Sequence, residues 1–287
     1  MTASIAAASA PQTGRVALVT GANTGIGRVT ARELAKAGAR VFIACRSAER
    51  AQDALAEIRA AASQGGSVEL LQIDLGDFAS VRACAQGFLA RGLPLHLLVN
   101  NAGLAGARGL SASGFELNFG VNHIGTLLLT QLLLERLKAS APARIVTVAS
   151  RAHTRVRGID FAVLRQPTQG TGGLPEYGVS KLANVLFSAE LGRRLAGTGV
   201  STYALHPGVV ATDVWRQVPG PLRWLMKLGM ISAEEGARTT LHCATAPALA
   251  GESGLYYDQC RPTSPSAAGQ DPALAAELWR RSEDWLR

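Results

Sequence analysis

From Val16 onward, short unbroken apolar runs alternate with amphipathic stretches, and this alternation leaves very few architectures open to the chain. Residues 15–20 (RVALVT), 40–44 (RVFIA), 67–73 (SVELLQI), 95–99 (LHLLV), 143–149 (ARIVTVA) and 200–206 read as strands, with 254–257 as a further one. Between them the pattern predicts helices over 25–37, 48–62, 78–91, 115–139, 177–196 and 233–245. Strands that are apolar on both faces belong to a parallel sheet covered by helices on each side. Right-handed crossovers then wind it into an open α/β sheet of the Rossmann type, in order 3-2-1-4-5-6-7, as a single domain over 15–287.

With 287 residues, 47% of them hydrophobic, the chain can bury one large core but is short for two domains. The net charge of +8 comes without runs of like charge, so the arginines read as spread over helix surfaces, and no nucleic-acid partner is expected. The cysteines at 45, 84, 243 and 260 form no CxxC pair and there is no HExxH, so no metal site is expected. Scattered cysteines suit a reducing compartment. Residues 1–14, rich in Ala, Ser and Thr, read as a flexible tail without the features of a secretory signal. No uninterrupted apolar run has the length of a bilayer span. The expectation is a cytoplasmic protein without a transmembrane segment.

The turn after the first strand reads Gly21-Ala22-Asn23-Thr24-Gly25-Ile26-Gly27 and opens the first helix. Glycines let a backbone approach a pyrophosphate, and a helix start offers free N–H groups and partial positive charge. A strand before and a helix after raise this turn above an ordinary connection. Its GxxxGxG spacing, Asn100-Asn101-Ala102-Gly103 after the fourth strand and Tyr177-x-x-x-Lys181 together resemble the short-chain dehydrogenase/reductase family. GANTGIGR (21–28), ACR (44–46), GVNH (120–123), SKLAN (180–184), HPG (206–208) and GLYYDQC (254–260) resemble its retinol-dehydrogenase-like branch. Two departures stand out: the N-terminal anchor common in that branch is not seen, and Ala149 stands where the family often has serine.

A residue ending the second strand of such a fold chooses between nicotinamide dinucleotides. An acid there binds the ribose 2′-hydroxyl of NAD. Here Cys45-Arg46-Ser47 occupies the place, and Arg46 can meet a 2′-phosphate with a planar charged fork. NADP(H) is therefore the expected cofactor, with Arg28 either near the same pocket or a solvated helix residue. The resemblance further implies cofactor contacts from Gly21, Asn23, Thr24, Gly25, Ile26 and Gly27 in the loop. It adds Asp74 and Leu75 after the third strand and Asn101, Ala102 and Gly103 after the fourth. Pro207, Gly208, Val210 and Thr212 follow the sixth.

Tyr177 and Lys181, four apart on a predicted helix, share a face. A free tyrosine, with a pKa of about 10, is a poor base at neutral pH. A nearby ammonium favours the phenolate, so Tyr177 can exchange a proton with an alcohol or forming alkoxide. The resemblance implies that Ser150 orients the substrate oxygen and that Asn122 supports a proton relay through Lys181. Asn is a poor mid-helix residue, so Asn122 predicts a kink or a bound water. His123 reads as packing, and His153 and His206 as structural or substrate-lining.

Residues 213–232 contain Trp215, Leu222, Trp224, Leu225 and Met226 among interspersed cations. They are expected to form a lid over an apolar carbonyl or alcohol substrate. Competing readings of that segment are a homo-oligomer contact or peripheral contact with a membrane. A non-catalytic NADP(H)-binding regulator and a reductase of a conjugated C=C bond are the alternatives to a carbonyl reductase or alcohol dehydrogenase.

Overall fold

The computed structural model describes residues 11–210 and 230–287. The alternation resolves into β1 (Val16–Thr20), α1 (Gly25–Lys36), β2 (Arg40–Cys45), α2 (Gln52–Ala61), β3 (Ser67–Gln72), α3 (Phe78–Leu89) and β4 (Leu97–Asn100). There follow α4 (Leu117–Ala139), β5 (Ala143–Val148), α5 (Leu174–Arg194), β6 (Val200–His206), α6 (Ala233–Thr245), β7 (Leu255–Asp258), β8 (Arg261–Pro262) and α7 (Pro272–Leu286). They form a single α/β domain around one sheet in the order β3-β2-β1-β4-β5-β6-β7-β8. Strands β1 to β7 run parallel, as expected, and β8 adds an antiparallel edge. Every residue of β1 is buried. Apolar residues of α1, α2 and α6 pack on one face of the sheet, and those of α3, α4, α5 and α7 on the other. The strand order reverses between β1 and β4, which opens a crevice at the carboxyl ends of the strands.

Several details differ from the sequence expectation. Gln12, placed in the loose tail, is buried and donates its backbone N–H to Ala37 O at 2.8 Å. Helix α5 starts at Leu174 rather than Tyr177, with Pro175 in its first turn, where a missing N–H costs nothing. Helix α4 is long and apolar enough to cross a membrane by length and composition, but 72% of its apolar window is buried within the fold. It is a core helix.

Neither β8 nor α7 was anticipated. Asp271 caps α7 by accepting from Ala273 N and Leu274 N, and Pro272 follows it. The helix lies across α5, where Trp279 stacks on Phe187 with ring centroids 6.0 Å apart, and Arg194 sits 4.5 Å over the Trp279 ring. Trp285 packs edge-on against Phe115 and Phe119 of the segment entering α4. Pro262, on β8, blunts the sheet edge by removing a donor.

Candidate active site

The loop between β1 and α1 is fixed from below by β4. Thr20 Oγ1 accepts from the backbone N–H groups of Asn101 and Ala102, both at 3.0 Å, and Asn101 Nδ2 donates to Thr20 O at 2.8 Å. A Cβ on Gly21, whose φ is +66°, would lie 2.8 Å from Ala102 Cα, and one on Gly27 would lie 2.4 Å from Asn101 Nδ2. These glycines are therefore demanded by the contact with β4 as well as by any ligand. Thr24 precedes α1 in an extended conformation and makes no side-chain cap. The first N–H groups of α1 thus lack that partner and face the crevice, an arrangement suited to a pyrophosphate.

The crevice is a cavity of about 1500 Å³. The predicted residues of the loop and Arg28, then Arg46, Asp74, Leu75, Asn101, Ala102, Gly103, Ser150, Tyr177, Lys181, Pro207, Gly208 and Val210, all line it. Thr212 and most of the expected lid fall outside the described residues. The ends of that segment are pinned together: Val210 bridges to Ile231, and Ile231 N donates to Val209 O at 2.9 Å.

At the adenosine end the two arginines part ways. Arg28 is ion-paired with Glu57 on α2, which also accepts from Arg32 Nη1 at 3.0 Å. Burial raises the Glu57 pKa, but the bonds and charges of Arg32 and Arg28 outweigh it and hold the carboxyl below its usual range. Arg46 is 65% exposed, with Asp74 Oδ2 4.0 Å away. Asp74 spends its other oxygen on Gly76 N, at 2.8 Å. Ser47 lines the same end, together with Arg50 and Asp53, which the sequence did not single out.

At the other end Asn122 lies in a π-helical turn, Gly120–Ile124, within α4. The distortion expected from a mid-helix asparagine is present, and its side chain is put to use. Asn122 Oδ1 accepts from Leu104 N at 2.7 Å, and Nδ2 donates to Leu104 O and to Ser180 Oγ, each at 2.9 Å. It stands behind the cavity wall rather than lining it, and clamps the 101–104 segment to α5. A Cβ on Gly103 would lie 3.3 Å from Asn122 Oδ1 and 3.4 Å from Lys181 Nζ, so that glycine lets the three elements close up.

Lys181 is buried and donates from Nζ to Val148 O at 2.8 Å, with Nζ 5.7 Å from the centre of the Tyr177 ring. Burial pushes its pKa down to about 8. Tyr177 is also buried: loss of water raises its pKa, and a hydrogen bond with Ser150 pulls it back. From the sequence, the nearby ammonium is expected to lower the tyrosine pKa. In the folded chain burial wins over its neighbours, because a phenolate has little water to stabilise it there. Ser150 caps a short 3-10 turn, Arg151–Arg155, accepting from Ala152 N at 3.1 Å. His206 lines the cavity, its Nδ1 accepts from Arg151 N at 3.3 Å, and burial pushes its pKa to about 4. The cavity wall also includes the apolar Leu104, Val156, Leu174 and Val209, with Arg151, Thr154 and Arg155 of the turn after Ser150 among them. Leu174, the first residue of α5, and Val209, after β6, are exposed there.

A doubly wound sheet with a glycine turn at its crevice and a Ser–Tyr–Lys set beyond it defines a nicotinamide-dependent oxidoreductase class, and the comparisons agree. The family model described as short chain dehydrogenase matches residues 15–221, and the chain belongs to that family. It is 47% identical to human retinol dehydrogenase 12 over 276 residues, covering 95% of this chain and 86% of that protein. Bovine dehydrogenase/reductase SDR family member 13 is 46% identical, over 94% of this chain and 72% of its own length. Among solved structures, an uncharacterized protein of Mycobacterium paratuberculosis superposes with a TM-score of 0.79 at 34% identity, covering 98% of this chain and 96% of that one. The RhlG/NADP active-site complex of Pseudomonas aeruginosa gives 0.68 at 26% identity, over 91% of this chain and 98% of its own. The chain is thus a short-chain oxidoreductase with retinol dehydrogenases among its relatives.

Proposed function

We propose that the protein is an NADP(H)-dependent reductase or dehydrogenase acting on the carbonyl or alcohol carbon of an apolar small molecule. The observation that carries this reading is the buried Tyr177, hydrogen-bonded to Ser150 and backed by Lys181, in the same cavity as the open start of α1. When bound, the dinucleotide supplies or receives the hydride. The chain does the rest. The α1 N–H groups and the glycine loop hold phosphates, and Arg46 holds the 2′-phosphate. The Ser150 hydroxyl orients the substrate oxygen, and the Tyr177 hydroxyl gives it a proton in reduction or takes one in oxidation. Lys181 supports the tyrosine and contacts the nicotinamide ribose, and Asn122 holds the 101–104 wall in register. The apolar residues in the cavity wall favour an apolar substrate, and the names of the relatives make retinal the first aldehyde to try.

The test is Tyr177→Phe, which removes one hydroxyl from a ring that stays in place. Turnover of NADPH with retinal or another apolar aldehyde is expected to fall by roughly 10²–10⁴ while the NADPH dissociation constant is unchanged. Near-wild-type turnover in this variant would remove Tyr177 from the chemistry. A protein that binds NADPH but reduces no member of an aldehyde and ketone panel would instead favour the regulatory alternative.

A further inference from the structure

His153 is not needed by the chemistry above, yet it is 1% exposed and packed directly under the serine. Its Nδ1 lies 2.6 Å from Ser150 O. Its Nε2 lies 3.1 Å from the backbone N of Ser266, on the segment between β8 and α7. A carbonyl oxygen can only accept and an amide N–H can only donate, so both bonds are satisfied by a single form of the ring. That form is neutral, with the proton on Nδ1. An imidazolium would set a second proton against the Ser266 N–H. Burial lowers the His153 pKa, with the Ser150 carbonyl pulling back, and this suits a neutral ring. The Tyr256 ring closes the site edge-on, with centroids 5.0 Å apart.

We propose that His153 is the positioning residue for Ser150: it locks the turn that aims the serine hydroxyl and ties that turn to the C-terminal segment. Besides the backbone N–H of residue 153, which donates to Ser150 O at 3.2 Å whatever the side chain, two bonds hold Ser150. Ala152 N donates to its Oγ, which fixes one lone pair, and His153 holds its carbonyl, which fixes the peptide that carries it. The hydroxyl is thereby left aimed toward Tyr177. Ser266 lies beyond residues 15–221, the part that matches the family model. The C-terminal part of the chain therefore reaches the serine's turn through this ring, beside the ion pair of Arg151 with Asp258. The inference rests on the reading of Ser150 as the group that orients the substrate oxygen.

Three substitutions separate the two bonds. His153→Phe keeps a ring and loses both. In His153→Asn the amide nitrogen stands where Nδ1 stood and can still donate to Ser150 O. In His153→Gln the amide oxygen stands where Nε2 stood and can still accept from Ser266 N. With an aldehyde that the wild type reduces, His153→Phe is expected to lower kcat by about three- to tenfold, the worth of one hydrogen bond, with the NADPH dissociation constant unchanged. Asn should recover most of kcat and Gln should not. Wild-type kcat in the Phe variant, or rescue by Gln and not by Asn, overturns the proposal. A readout that needs no turnover accompanies these. The imidazole ¹⁵N spectrum of the resting wild-type protein should show His153 as the neutral Nδ1–H form, and an Nε2–H form overturns the wiring. If the wild type reduces no carbonyl compound, the functional reading fails while this spectrum still decides whether His153 holds Ser150.

Discussion

Lys181 carries its charge in a place with almost no water, and that sets a pH limit on what it can do. Its pKa, pushed down to about 8 by burial, means an ammonium below that pH and an increasingly neutral amine above it. Contacts that need the charged form should weaken as pH rises. NADPH affinity, followed by fluorescence titration between pH 6.5 and 9.5, should therefore fall from about pH 8 upward. Lys181→Arg stays charged throughout and should flatten that fall, whatever it does to turnover. At the far end of the cavity Arg46→Asp should erase a preference for NADPH over NADH. One charge-assisted contact corresponds to roughly a 10- to 100-fold change in the ratio of kcat/KM values. An unchanged ratio would move the 2′-phosphate away from Arg46. The proposed Ser150, Tyr177 and Lys181 could be picked out in the sequence because Ser150 follows a predicted strand and Tyr177 and Lys181 stand four apart on a predicted helix. The capture of Arg28 by Glu57 could not, because that pair joins two helices and no spacing announces it.

Among the elements, the β1–α1 turn is the least tolerant of change. A methyl at Gly27 would meet Asn101 Nδ2 at 2.4 Å and Gly21 O at 2.6 Å, and Asn101 Nδ2 is held in place by its bonds to Thr20 O and Gly21 O. Gly27→Ala is expected to cost about 1–3 kcal/mol in urea unfolding and to weaken NADPH binding at the same time. A stable variant that only bound weakly would mean that the turn can relax without cost. The parallel strands were legible because each is a short apolar run bounded by polar or glycine residues. The π-helical turn in α4 was half legible: Asn122 announced a distortion, but its partners Leu104 and Ser180 lie far away in sequence. The Asp271–Pro272 start of α7, followed by Leu274, Leu278 and Trp285, is a helix signal that lies beyond the last predicted strand.

At the scale of the whole molecule, all five histidines are held below their ordinary pKa, each chiefly by burial. His123 is the extreme case, wholly buried between Phe119 and Phe187 and pushed to about 3, with Asn184 pulling slightly upward. The unfolded chain takes up a proton there near pH 6.5 while the folded chain resists to about pH 3. Stability from this residue is therefore complete above pH 6.5 and is lost progressively as pH falls toward 3. At about 1.4 kcal/mol per unit, that amounts to on the order of 5 kcal/mol across the window. Urea unfolding at pH 4.5 and 7 should show the difference, and His123→Leu should reduce it; an equal slope in the variant would assign acid sensitivity to other groups. The stacking of α7 on α5 bears on how the protein is made. A ribosome releases the chain from its N-terminus, so Phe187 and the apolar side of α5 emerge long before Trp279 and Trp285 exist to cover them. Until the last residues are free, the nascent domain exposes an aromatic face with nothing to shield it. A chain ending at Asp271 would keep that face exposed permanently, and it should accumulate in the insoluble fraction on expression even though every residue of the proposed site is present.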